Sequence, residues 1–338
     1  MNPRKTTAAK HAPARQGSDS RDIAKNTPES PAGPIKIDNR ELKFSNLSKV
    51  LYPQTGFTKG EVIDYYARIA PVLLPHLRGR PITLKRYPNG VDGEFFYEKM
   101  CPDHRPDWVA TTDIISTGGK RPFVRYCVVN DLPTLLWIAN LASLELHTLL
   151  SRQDDVMRPT MMVFDHDPGP GTTIIDCIHI ALRFRAMLQG IGLQSYPKTS
   201  GGKGLHLYVP LNTAVTFEQT KSLARAMAQT LEQDDPQHVT TNMRKEMRQG
   251  RVFLDWSQND DHKTTVCTYS LRARELPTVS TPVSWEELEA ADKKKDPARL
   301  VFTTADVIKR VEKLGDLFAP VLTQKQELPR RSGNAQAH

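Results

Sequence analysis

The segment Met161-Met162-Val163-Phe164-Asp165-His166-Asp167-Pro168-Gly169-Pro170-Gly171 constrains this chain more than any other. Its apolar run ends in two acids two residues apart, and a Gly/Pro turn follows. Such a run reads as a buried strand emerging into a turn. Side chains alternate faces along a strand, so Asp165 and Asp167 project the same way. Two carboxylates at one strand end concentrate negative charge, which a stable core tolerates only against a cation or a basic ligand. Taken alone, Asp-x-Asp is equally an ordinary pair of solvated turn aspartates. The residues downstream decide between the two.

At 338 residues the chain holds one large domain or two small ones. Its formal charge of +8 and pI near 9.2 favour a polyanionic partner, nucleic acid ahead of a membrane surface. No apolar run reaches the roughly 18 residues of a membrane span. No hydrophobic signal core follows the basic N-terminus, so a cytoplasmic, nucleoid-associated protein is expected. Cys101, Cys127, Cys177 and Cys267 lie far apart with no Cys-x-x-Cys pair, which predicts free thiols in a reducing compartment. Cys101-Pro-Asp-His104 offers two metal ligands, whereas a structural zinc normally takes four.

Residues 1–37 contain no aromatic residue and are rich in Ser, Pro, Ala, Lys and Arg. They bury too little apolar surface to offset their ordering entropy and read as a disordered basic arm. Residues 323–338 read as a flexible tail, leaving 38–322 as a body without internal repeats or a long linker. Thr58-Lys59-Gly60-Glu61 is a capping box before Val62, Tyr65, Tyr66 and Ile69 at helical spacing. Pro71 is expected to kink that helix or start a new one. Strands are predicted over 81–87 and 123–129. Asp131 is predicted to cap a long apolar helix through about residue 150, with Pro133 in its first turn. After the strand of the acids come a helix over 173–189, strands at Tyr208-Val209 and Val252-Phe253-Leu254-Asp255-Trp256, and a helix over 305–314. This mixture indicates an α/β or α+β sheet with helices packed against it.

Asp255 is a third acid inside an otherwise apolar strand. Alternation puts it on the face of Phe253, away from Val252, Leu254 and Trp256. It is either a salt-bridge partner of a core-flanking Arg or a metal ligand. Three acids from two strands can hold two Mg²⁺ or Mn²⁺ ions about 3.5–4 Å apart, and hard oxygen ligands suit those metals. Between the acids lies Thr199-Ser200-Gly201-Gly202-Lys203-Gly204-Leu205-His206. Its glycines allow close backbone approach to phosphate, and Ser200, Lys203 and His206 add a hydroxyl, a cation and an imidazole. It lacks the spacing of a Walker A loop, and alone it would read as a simple hairpin. Past Asp255 come Lys263 and the pair Arg272 and Arg274, which share a face on an extended segment. They could grip phosphate oxygens or sit on a solvated edge strand. Three acids, a Ser/Lys/His loop and an Arg pair are together the inventory for nucleotidyl transfer.

The motifs closely resemble the polymerase domain of bacterial DNA ligase D, in the archaeo-eukaryotic primase superfamily. The resemblance spans residues 37–318. It rests on Phe164-Asp165-His166-Asp167-Pro168-Gly169, Ser200-Gly201-Gly202-Lys203-Gly204-Leu205-His206 and Leu254-Asp255-Trp256-Ser257-Gln258-Asn259, in that order. Flanking agreement occurs at Lys49-Val50-Leu51-Tyr52-Pro53, Lys85-Arg86-Tyr87-Pro88-Asn89-Gly90 and Tyr269-Ser270-Leu271-Arg272.

The resemblance implies an α+β, primase-type catalytic core with mixed sheets flanked by helices. It also implies a template-directed polymerase that fills gaps and extends ends in non-homologous end joining, preferring ribonucleotides and Mn²⁺. Carried over, Asp165, Asp167 and Asp255 ligate two Mn²⁺ or Mg²⁺ ions. Ser200, Lys203, His206, Lys263, Arg272 and Arg274 handle the triphosphate of a ribo- or deoxyribonucleotide. His147 lies near the sugar, or otherwise at the end of the apolar helix. Lys49, Lys59 and Arg86 form a pocket for the 5′-phosphate of gapped or broken DNA. Phe95 and Phe96 stack on the template, one of them expected to pack inside because neighbours on a strand face opposite ways.

No Lys-x-Asp-Gly adenylation motif is present, so nick sealing is not expected. The chain reads as a stand-alone polymerase that recruits a separate ligase, and Ku, or as an excised domain. Two rival readings are a primase that starts chains de novo and a non-catalytic module that bridges DNA ends.

Overall fold

The computed structural model describes residues 33–115 and 122–329. Residues 1–32 of the expected arm and 330–338 of the expected tail lie outside the described residues. Residues 35–37, which composition assigns to the arm, form a strand instead. Ile35–Ile37 (β1) and Arg40–Leu42 (β2) form a hairpin whose turn residues Asp38 and Asn39 take φ of 47° and 63°. Positive φ at both central positions matches the twist of paired strands.

Val50–Tyr52 (β3) pairs with Phe57–Thr58 (β4) and leads into Lys59–Leu77 (α1), capped by Thr58 and Glu61 as the capping box requires. Pro71 does not break α1, which runs on past Pro75. The helix buries Val62, Tyr65, Tyr66, Ile69, Leu73 and Leu77 in the first core, and that packing outweighs the lost backbone bonds. Pro81–Arg86 (β5), Phe96–Glu98 (β6), Thr111–Ile115 (β7) and Phe123–Val128 (β8) follow.

Asp131 does cap a helix, Leu132–Asn140 (α2), but the long helix through residue 150 is not formed. Ala142 takes φ of 57°, and Ser143–Thr148 (β9) pairs antiparallel with β5. Leu144 and Leu146 enter the core while Glu145 and His147 point away, a period of two concealed within an apolar run. His147 is therefore on a strand and not at a helix end.

Ser151–Arg152 (β10) and Asp155–Pro159 (β11) form a hairpin before Met161–Pro168 (β12), the strand of the acids. Ile174–Gly190 (α3), Tyr196–Thr199 (β13), Leu205–Pro210 (β14), Phe217–Asp234 (α4), Val239–Thr240 (β15) and Val252–Asp255 (β16) complete the second half. Thr265–Val266 (β17) returns to the first sheet, and Trp285–Lys294 (α5), Thr304–Leu314 (α6) and Ala319–Thr323 (α7) close the chain.

Two sheets result. One runs β17-β9-β5-β8-β7, with β6 also on β5; the other runs β13-β14-β12-β16-β15. Helices α1 and α2 cover the first core, while α3, α4 and α5 cover the second. This is the expected α+β class with helix-flanked sheets, and β12 is central in its sheet.

Two further expectations are corrected. Cys101 and Cys127 form a disulfide, and only Cys177 and Cys267 are free, both buried. The Cys101 N–H donates to Arg125 O at 2.6 Å, so Cys101 lies beside β8 although 26 positions separate the two cysteines. That pairing removes Cys101 as a zinc ligand, and His104 packs edge-on against Trp137. The start of the expected tail is docked. Gln326 is buried, its Nε2 donates to Pro210 O at 2.8 Å and its Oε1 accepts the Gln194 N–H at 2.7 Å.

Candidate active site

The register of the second sheet assembles the acids. Asp165 lies directly opposite His206 on β14 and opposite Asp255 on β16. Directly opposed residues share a face, so imidazole and both carboxylates form a row across the sheet, with Asp167 one step along. His166 faces the other way, fully buried and edge-on to Phe184, where burial lowers its pKa to about 3.

The row carries more negative charge than its surroundings compensate. Burial and the charge of Asp255 push Asp165 up to about 7, against the pull of Lys198, Arg272 and Arg248. The charge of Asp165, with burial, pushes Asp167 up to about 7, opposed by His206 and Arg248. His206 Nε2 lies 3.2 Å from Asp165 Oδ1 without hydrogen-bond geometry, so that buried oxygen has no hydrogen-bond partner. Burial and Lys198 hold His206 well below its ordinary pKa. Asp255 is oriented differently: its Oδ1 accepts the Ser257 N–H at 2.9 Å and the hydroxyl at 2.5 Å, and its Oδ2 accepts Gln258 Nε2 at 2.9 Å. Lys263 Nζ donates to that same Ser257 hydroxyl.

The glycine-rich segment folds into a tight loop between β13 and β14. Ser200 Oγ accepts the N–H of Gly202 at 3.2 Å and of Gly204 at 3.1 Å. Both acceptor positions are used, leaving the hydroxyl proton to donate to a ligand. Arg272 Nη1 donates to Ser200 O, and Thr278 Oγ1 donates to Gly201 O at 2.6 Å. A Cβ at Gly201, where φ is +69°, would meet the backbone of Val279 and Ser280 at 2.7 Å. The loop is thus pressed against the segment that carries Arg272 and Arg274.

A cavity of about 650 Å³ lies over these elements. Asp165, Asp167, His147, Ser200, Lys203, His206, Lys263, Arg272 and Arg274 all line it. Asp255 is not among the lining residues and joins the site as the cross-strand partner of Asp165.

The structure adds residues that spacing did not single out. Tyr97, Lys99, Arg248 and Gln258 line the same cavity, and the Arg248 guanidinium lies 3.6 Å from the Phe253 ring centre. Lys198 is fully buried, donating to Val266 O at 2.8 Å and to Ser280 Oγ at 2.6 Å, and burial lowers its pKa to about 7. Alternation could have found it, since Lys198 pairs with His206 and must share its face.

The remaining expected residues lie on the first half. Lys49 Nζ donates to Asn89 Oδ1 at 3.1 Å, Lys59 Nζ to Ser45 O at 2.7 Å, and Arg86 Nη1 to Glu98 Oε2 at 2.9 Å. Burial, then the charges of Lys49 and Arg86, lower Lys59 to about 8, the mark of three cations gathered in one place. Phe95 is 50% exposed and Phe96 44% exposed, so neither packs inside. The Arg86 guanidinium lies 5.1 Å from the Phe96 ring centre, and Lys85 Nζ lies 4.3 Å from that of Phe95. Elsewhere among the described residues, Asp260, Asp261 and His262 bring three ligand atoms within 4.8 Å of one another, but Lys221 pairs with Asp260 at 2.5 Å.

A family model described as the LigD primase-polymerase domain matches residues 58–318. The chain belongs to the LigD primase-polymerase family. The multifunctional non-homologous end joining protein LigD of Mycolicibacterium smegmatis is 44% identical over 282 residues, covering 83% of this chain and 36% of that protein. The bifunctional LigD of Bacillus subtilis is 33% identical over 294 residues, covering 86% of this chain and 45% of the relative. The chain therefore spans less than half the length of these LigD proteins. Among solved structures, the polymerase domain of Mycobacterium tuberculosis ligase D in complex with DNA superposes with a TM-score of 0.77 at 39% identity, covering 84% of this chain and 99% of that chain. The LigD family fold and the α+β architecture agree. The described residues include no helix long and apolar enough to cross a membrane.

Proposed function

We propose that this chain is a template-directed nucleotidyltransferase that fills gaps and extends ends at broken DNA in non-homologous end joining, with ribonucleoside triphosphates as preferred substrates. The observation that carries the reading is the register of Asp165 between His206 and Asp255, with the phosphate-type loop and two arginines facing the same cavity. Membership of the LigD primase-polymerase family supports it, as does the likeness to a polymerase domain solved with DNA.

The donor set fits two divalent cations. Asp165 carries a buried oxygen without a hydrogen-bond partner, and burial together with the repulsion among the acids raises Asp165 and Asp167, a penalty that cations relieve. Asp165, Asp167 and Asp255 would hold Mn²⁺ or Mg²⁺, which when bound activates the primer hydroxyl and neutralises the leaving pyrophosphate.

The chain's own groups do the rest. Ser200 donates its proton to a phosphate oxygen, while Lys203, Lys263, Arg272 and Arg274 oppose the charge of the triphosphate. His147 faces the sugar. Lys49, Lys59 and Arg86 take a terminal 5′-phosphate, and Phe95 and Phe96 offer exposed rings to template bases. Ku and a ligase activity, on a separate protein or on a further domain, are its proposed partners in joining.

Primer extension across a short gap with a downstream 5′-phosphate, in Mn²⁺ and with either sugar, tests the reading. Templated addition that disappears in an Asp165→Ala/Asp167→Ala double variant is expected. Absence of addition despite tight, phosphate-dependent DNA binding would overturn it in favour of an end-binding module.

A further inference from the structure

Glu145 is a buried acid with no part in the reaction proposed above. It is 2% exposed and lies directly opposite Lys85 on β5. Its two oxygens serve different neighbours. Oε2 lies 2.9 Å from His147 Nε2. Oε1 accepts the Ala273 N–H at 3.1 Å and lies 3.3 Å from Arg272 Nε and 3.7 Å from Lys85 Nζ. Every group around Oε1 is a donor. Arg272 in turn donates to the Ser200 carbonyl, so one carboxylate ties the imidazole to the phosphate-type loop. Lys85 extends the tie to the aromatic face, its ammonium 4.3 Å from the Phe95 ring centre and 5.4 Å from that of Tyr97.

The protonation states follow from the surroundings. Burial raises Glu145, but the His147 hydrogen bond and the charges of Arg272 and Lys85 outweigh it and hold it well below the usual carboxylate range. Burial lowers His147 despite the opposing pull of Glu145, so the ring is neutral at neutral pH. An ionised carboxylate only accepts hydrogen bonds. The ring proton is therefore on Nε2, and Nδ1 is an acceptor on a side chain that lines the cavity.

We propose that Glu145 is a positioning residue that sets the polarity of the sugar side of the site, holding His147 as an acceptor for a donated 2′-hydroxyl proton and fixing Arg272 beside it. This rests on the reading of the cavity as a nucleotide site.

Glu145→Gln inverts the arrangement at nearly constant shape. The amide oxygen must face the Ala273, Arg272 and Lys85 donors. Its NH₂ then faces His147 Nε2, which has to accept, and the ring proton moves to Nδ1.

The first readout needs no catalysis: ¹⁵N spectra of the imidazoles, with His147 assigned by its loss in His147→Ala. The wild type is expected to show the Nε2–H tautomer, and Glu145→Gln the Nδ1–H tautomer. An Nδ1–H ring or an imidazolium in the wild type at pH 7.5 overturns the proposal. The second readout is primer extension with ATP, dATP and 2′-fluoro-2′-deoxyATP, since a hydroxyl donates and accepts, fluorine only accepts and hydrogen does neither. The wild type is expected to use the fluoro analogue no better than dATP. Glu145→Gln should raise the fluoro analogue over dATP by about threefold to fivefold, mainly in KM, the worth of one modest hydrogen bond. Equal losses on all three substrates would show a merely structural role and overturn the proposal. No extension by the wild type, with its tautomer as expected, would instead overturn the nucleotide-site reading beneath it.

Discussion

Asp165 and Asp255 are cross-strand partners, paired in register across the antiparallel β12 and β16. Burial of Asp165 is the larger penalty, and the like charge of Asp255 directly opposed across the sheet adds to it. The site therefore stores unfavourable energy that function requires and folding does not.

Replacing Asp165 should release part of that energy. Its folded pKa of about 7 exceeds the ordinary value, so the native state binds the proton more tightly than the unfolded chain does. Stability is then highest below the unfolded pKa of about 4 and falls as pH rises through 7. Asp165→Asn should abolish primer extension and yet stabilise the protein by about 1–3 kcal/mol at pH 8. Thermal unfolding followed by calorimetry should show that advantage shrinking toward pH 5. Mn²⁺ should raise the melting temperature of the wild type more than that of the variant. A variant less stable than the wild type at pH 8 would show that the row is not under electrostatic strain.

The cation cluster carries its own pH dependence. Lys59, lowered to about 8 by burial, Lys49 and Arg86, loses its charge as pH rises through that value. Affinity for a 5′-phosphorylated gap should therefore fall between pH 7 and pH 9, while affinity for a 5′-hydroxyl gap changes little. Lys49→Ala should cost about tenfold on the phosphorylated gap, the worth of a charge-assisted contact. Fluorescence anisotropy with matched gaps checks both, and an equal loss on the hydroxyl gap would remove the phosphate assignment.

The acids, the phosphate-type loop and the arginine pair were legible because each is a local pattern: strand alternation, a glycine turn, two like residues two apart. What was hidden depends on long-range pairing. His147 sits in an apolar run whose helical or extended state is decided by β5, so Glu145 beside it gave no signal at all. Pro71 carried a real local preference that the packing of α1 overrides. Cys101 and Cys127 meet because β8 returns beside the chain after β6, which no spacing rule reveals. Helix α4, by contrast, was readable and overlooked, since Ala224, Met227, Ala228 and Leu231 are buried at helical spacing.

The disulfide has a direct chemical consequence. Peptide mass spectrometry without reduction should recover Cys101 linked to Cys127, with Cys177 and Cys267 as free thiols that react only on unfolding. Cys127→Ser should cost about 3 kcal/mol against the oxidised protein, the loop-closure value for a span of this order, and little against the reduced one. Four equally free thiols in the oxidised protein would restore the reading that spacing alone suggested.

A close backbone approach between the glycine-rich loop and the strand of the acids yields the sharpest test of the site's geometry. A Cβ at Gly204 would lie 2.4 Å from His166 O and 3.1 Å from Asp167 Oδ1. The first is main chain of β12 and cannot turn aside, so Gly204→Ala has to push the loop off the strand. That movement takes with it the Ser200 N–H bond to Gly204 O at 2.9 Å and the Gly204 N–H bond to Ser200 Oγ at 3.1 Å. A loss of about 1–3 kcal/mol of stability is expected from overpacking. Extension should fall by about a hundredfold, because a misplacement near 1 Å suffices for that. Gly190→Ala is the control: nothing lies within 4 Å of the added carbon, and alanine favours the end of α3 by about 0.5–1 kcal/mol. Chemical denaturation and single-turnover extension on both variants separate the effects. Full activity in Gly204→Ala would mean that the loop does not depend on its contact with the strand of the acids.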